Sequence, residues 1–133
     1  MKSAAAFALA MVLGTSVQAQ ERRGPQMQPL LGEPELEARF TASVEWIEAE
    51  GKREAQAVPI GADPRWLVGI AILSVEKPLP PFDQMEKRVL FVHSPALLFG
   101  GAEKAPGKTY TFKVFGHVRN GRPKFYHVEA QER

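Results

Sequence analysis

The sequence predicts a mostly β domain carrying one short helix. Several short segments alternate apolar and polar residues with period two, and Gly, Pro and Asn cluster between them. The dipeptide Asn120-Gly121 also lies between two strand-like runs, the strongest short-range hairpin signal. At 133 residues the chain has room for one domain. The absence of cysteine excludes a disulfide scaffold, a thiolate metal site and a thiol nucleophile.

Residues 1–19 read as an export signal. Lys2 supplies the positive start, residues 4–13 form an apolar run of ten, and Val17-Gln18-Ala19 is a small-residue cleavage site. A run of that length is too short to span a bilayer, which takes about 20 apolar residues. Removing it leaves 114 residues with 16 basic and 15 acidic side chains, a net charge of +1. Residues 20–34 are rich in Gln, Arg, Pro and Gly without any period, as expected of a flexible arm. Residues 35–133 are then the single folded domain, placed outside the cytoplasm, in the periplasm or beyond the cell.

The first strand is expected over residues 39–48. Phe40, Ala42, Val44 and Trp46 alternate there with Thr41, Ser43 and Glu45. Leu36, Phe40, Val44 and Ile47 also stand at helical spacing, but the cluster of Thr, Val, Trp and Ile favours a strand. A turn at Glu50-Gly51-Lys52 leads to a polar stretch with room for a short strand over residues 55–60. Gly61-Ala62-Asp63-Pro64 ends it. Residues 66–75 are almost continuously apolar, which fits a strand buried on both sides, and Gly69 within it marks a bulge or a tight bend. Pro78, Pro80 and Pro81 break the chain. Residues 87–93 form a further short strand. Ser94-Pro95 is an N-cap followed by a proline at the first helical position, so a one- or two-turn helix runs to Phe99 and stops at Gly100-Gly101. Residues 109–119 and 122–130 are the two arms of the hairpin.

Three strands, a short helix and two strands resemble an OB-type barrel, the five-stranded, partly open Greek-key barrel with a helix between its third and fourth strands. The resemblance is one of topology, covers about residues 39–130, and is accompanied by no motif. A small β-sandwich, or an open sheet with one helix across it, are the alternatives.

Chemistry-bearing motifs do not assemble. With a two-residue turn, Arg119 faces Arg122, which places His117 opposite Lys124 and His127 opposite Val114. The two imidazoles then point to opposite faces, and His127 joins Phe112 and Phe125 as a core histidine. His93, next to the Ser94 cap, serves local structure. No metal set is expected, and nothing in the sequence points to a cofactor or a catalytic group. Ala102 to Thr109 looks like a phosphate loop, but it follows a helix and enters a strand, so the helix N-terminus that such a loop needs is missing. Ser94 has no nucleophile elbow around it.

Charge is distributed unevenly. Residues 33–56 hold seven acidic and three basic side chains, whereas residues 104–127 hold six basic and no acidic ones. On the hairpin, Lys113, Phe115, His117 and Arg119 share a face with Arg122, Lys124 and Tyr126, and Phe115 is expected opposite Tyr126. Rings between cations are how OB-type surfaces hold single strands of nucleic acid. Acidic glycans, phospholipid headgroups and acidic protein patches have the same charge. The expectation is a non-catalytic binding module that contacts an anionic ligand or partner protein through Lys113, Phe115, Arg119, Arg122, Lys124 and Tyr126, with the loop over residues 51–65 at its border. A subunit of an envelope assembly, including a homo-oligomer built on the acidic first half of a second copy, is one alternative. A small hydrolase with His93 or His127 as base is another.

Overall fold

The computed structural model describes residues 34–133, so the expected signal and most of the arm lie outside the described residues. The chain runs β1 (Leu36–Ala49), β2 (Val58–Pro59), β3 (Trp66–Lys77), β4 (Lys87–Val92), α1 (Pro95–Phe99), a 3-10 turn (Ala102–Lys104), β5 (Thr109–Arg119) and β6 (Arg122–Glu132). These make one curled sheet in the order β2-β4-β3-β1-β5-β6. All neighbours are antiparallel except β2 and β4. The mostly β class and the short helix are as expected, but the sheet has six strands, not five. The sixth is β2, two residues long, within the stretch where the sequence left room for a short strand.

β1 is the centre of the sheet. Ala38, Phe40, Ala42 and Val44 point inward at period two and are buried, which is why this segment is a strand and not a helix. It pairs with β3 on one side and β5 on the other. Register shifts against β3 follow Arg39, Thr41 and Val44; the extra residue is in β3 at the first two, Glu76 and Leu73, and in β1 at the third, Glu45, and together they bend the pair. Gly69 of β3 sits opposite Trp46, whose indole occupies the space where a side chain would begin. The bulge beside Gly69 is therefore in β1, at Glu45, and the glycine makes room for the ring. The Arg53 guanidinium lies 4.0 Å above that indole and holds Glu48 at 2.8 Å.

The helix forms as its cap predicts: Ser94 Oγ accepts from the Leu97 N–H, Pro95 opens the first turn, and Gly100 at φ 74° closes it. Phe99 then reaches the core beside Tyr110. The proline-rich connection contributes more than a break. It delivers Phe82, fully buried, against Phe40. The two edges of the sheet meet at one point, where Ile60, just past β2, bridges Phe125 of β6 and the Gly61 N–H donates to the Phe125 carbonyl at 3.0 Å.

Outside the core, several carboxylates are held by arginines. A hydrogen bond from Arg39 pulls Glu37 below the usual carboxylate range, helped by Lys77. Arg53 does the same for Glu48 and Arg65 for Asp63. A lowered folded value means that the unfolded chain binds protons first on acidification. These pairs therefore stabilise fully above the ordinary carboxylate range near roughly pH 4, and the contribution is lost as pH falls through the folded values. The melting midpoint should drop between about pH 5 and pH 3, and by less in high salt, because the pairs are exposed and screened. A midpoint that rises on acidification would contradict this.

Candidate functional site

Asn120 and Gly121 both have positive φ, 53° and 75°, the geometry of a two-residue hairpin turn. From the turn inward, Arg119 pairs with Arg122, Val118 with Pro123, His117 with Lys124 and Gly116 with Phe125, in the expected register. Between Gly116 and Phe115 the register slips by one residue. Phe115 faces His127 and Val114 faces Val128, so the expected pairs Phe115 with Tyr126 and Val114 with His127 do not form. The reason is Gly116. A Cβ there would stand 2.7 Å from the Lys124 carbonyl oxygen and 3.0 Å from the Phe125 ring, so only a glycine lets β6 press in and carry Tyr126 as an extra residue.

The slip turns His127 to the outer face, which His117 already occupies. Phe115 stacks on His127 with centroids 5.9 Å apart, and His117 stacks on Tyr126 at 4.7 Å. His127, expected in the core, is exposed, with Nε2 3.2 Å from a Glu129 oxygen. His117 is the buried one, only 8% exposed. Its Nδ1 lies 3.4 Å from Glu35 Oε1, and its Nε2 is buried without a hydrogen-bond partner among the described residues. His93 sits apart from the pair, its Nδ1 3.0 Å from the Asp63 carbonyl oxygen. Among the described residues no three His, Asp or Glu side chains come together as a metal set.

An open cleft of about 670 Å³ runs beside the hairpin tip. Arg119, Asn120, Arg122 and Lys124 form one wall, and Val58, Pro59 and Gly61 form the other, with Phe125 at its base. Three of the six residues singled out from the sequence thus converge. Lys113 stands elsewhere on the outer face, across from Glu129. Phe115 and Tyr126 are engaged with imidazoles, and Tyr126 borders a smaller groove beside α1 that His93, Leu97 and Leu98 also line. Among the described residues, Arg122 and Lys124 form no ion pair, and the carboxylate nearest Arg119 is Glu35 at 3.8 Å. Glu35 is the residue that sequence reasoning passed over. It was counted in the acidic first half, but its approach to a strand 83 positions away left no local signal.

No family model, curated protein or solved structure matches this chain.

What the cleft can do follows from its lining. Two guanidinium forks and an ammonium group, set against apolar walls, can hold carboxylate, sulfate or phosphate oxygens by charge-assisted hydrogen bonds. Among the described residues, no carboxylate, imidazole or hydroxyl lines it.

Proposed function

We propose that the chain is an exported, non-catalytic binding module that holds an anionic ligand in the cleft between β2 and the hairpin tip. The observation that carries this is the convergence there of Arg119, Arg122 and Lys124, two of them without a carboxylate partner among the described residues. Like charges gathered at one wall of a cleft repel one another and raise the local potential, which an anion relieves. The export half of the reading rests on the order of Lys2, the apolar run and the Val17-Gln18-Ala19 site. No helix among the described residues is long and apolar enough to cross a membrane.

The arrangement of strands supports an OB-type reading of the barrel. With β2 taken as an insertion in the loop after β1, five strands remain with the helix between β4 and β5. In OB-type folds the loops after the first and fourth strands border the ligand. Those two connections are the two walls of this cleft. The rings of Phe115 and Tyr126 are already stacked on imidazoles, so the ligand is recognised by charge and not by base stacking.

Retention of the exported protein on a sulfated polysaccharide matrix, run as a salt series, tests the reading. Arg122→Glu with Lys124→Glu should lower the elution salt and flatten the log–log salt slope by roughly 1.5, about what two lost anion contacts remove. Lys87→Glu with Lys104→Glu makes the same change of net charge at exposed positions that do not line the cleft. Equal elution of the two double variants would end the proposal.

A further inference from the structure

We infer that Glu35 is a built-in competitor for the anion cleft, acting through Arg119. The inference rests on the cleft reading above and adds its regulation. Three nitrogen groups converge on one oxygen of this carboxylate: the Val118 N–H at 2.8 Å, His117 Nδ1 at 3.4 Å and Arg119 Nη1 at 3.8 Å. Two of the three are fixed. Val118 is held in the β5–β6 ladder, and the His117 ring is buried and clamped by its stack on Tyr126. Arg119 is the least held of the three: one guanidinium nitrogen donates to the Val118 carbonyl oxygen at 2.9 Å, while the side chain is 54% exposed and lines the cleft as well.

The contact geometry fits a competitor better than a strut. A guanidinium 3.8 Å from an exposed carboxylate is a loose pair, within the range where exposed ion pairs hold weakly. The same carboxylate is anchored firmly by the Val118 amide, so it stays beside the cleft whichever way Arg119 turns. It lowers the potential that an incoming anion meets, and it takes a share of one of the three cations that would bind that anion. By linkage, an anion that draws Arg119 toward the cleft loosens its pair with Glu35 by the same factor.

The decisive variant is Glu35→Gln, whose amide oxygen still accepts from the Val118 N–H while the charge is gone. On the sulfated polysaccharide it should bind about two- to five-fold more tightly than the unaltered chain, the fold-change that a weak exposed pair supports. Glu103→Gln, exposed and unpaired among the described residues, makes the same change of net charge far from the cleft and should give a smaller gain. Glu35→Asp keeps the charge and should bind no more tightly than the unaltered chain. In an Arg119→Gln background the gain from Glu35→Gln should shrink to that of Glu103→Gln, because the coupling beyond net charge passes through that guanidinium. Equal gains from Glu35→Gln and Glu103→Gln would overturn the inference, and so would an excess over Glu103→Gln that persists without Arg119. If reversal at Arg122 and Lys124 has no effect beyond its control, the cleft reading itself has failed. If that reversal works but Glu35→Gln behaves as its control, only the competitor has failed.

Discussion

Phe40→Ala should remove about 3–5 kcal/mol of folding stability, the largest loss expected from any single substitution in this domain. Phe40 is fully buried at the middle of a three-ring stack, 5.0 Å from Phe82 and 5.3 Å from Phe112, with both ring pairs within 16° of parallel. Its neighbours are tied to different parts of the fold. Phe112 is its partner across the β1–β5 ladder and meets Phe99 of α1 edge-on, whereas Phe82 arrives from the proline-rich connection and leans on Phe125 of β6. Neither outer ring can close the gap without leaving its own contacts, so the cavity persists and the full cost is felt. A domain of this size has about 5–15 kcal/mol to lose, and the melting midpoint should fall by more than about 12 °C. Phe40→Leu keeps most of the volume and should cost under about 1.5 kcal/mol. Urea titration of both variants measures the difference. A loss under about 1.5 kcal/mol for Phe40→Ala would mean that the stack is not the centre of the core.

That stack also separates what the sequence disclosed from what it hid. Phe40 and Phe112 were legible, because period two along β1 and β5 assigns each residue a side. Phe82 was not: its segment has no period, and its burial is decided by where the chain must return, which only the tertiary fold sets. β2 had the same difficulty in miniature. Two residues, one of them proline, carry no pattern, and their pairing with β4 depends on partners 32 positions away. The cations at the hairpin tip could be read directly, since turn geometry fixes the closing pairs and long basic side chains stay at the surface. The partners of the rings could not be read from alternation alone, because one extra residue in β6 re-sorts every side chain beyond it. The signal was nevertheless present. Gly116 inside an otherwise β-branched and aromatic strand is the mark of a close backbone approach, the same argument that drew attention to Gly69.

Gly116→Ala should cost about 1–3 kcal/mol, although it adds one methyl group to a strand where alanine is otherwise tolerated. The added carbon would meet the Lys124 carbonyl oxygen at 2.7 Å, and that atom belongs to the backbone, so no rotamer change relieves the contact. β6 has to retreat, and with it go the Lys124 side of the cleft and the Tyr126 ring that covers His117. Two readouts should therefore move together. Near-ultraviolet circular dichroism should lose the tyrosine contribution of the His117 stack, and retention on the sulfated polysaccharide should weaken even though no charge has changed. Deleting Tyr126 from the same variant removes the extra residue that the slip accommodates. The Phe115–His127 pair keeps its place, β6 can pair without a bulge, and part of the lost stability should return. A Gly116→Ala protein within about 0.5 kcal/mol of the unaltered chain, the range of an ordinary surface substitution, would mean that β6 does not press on Gly116 in solution and that the register beyond it is the uninterrupted one.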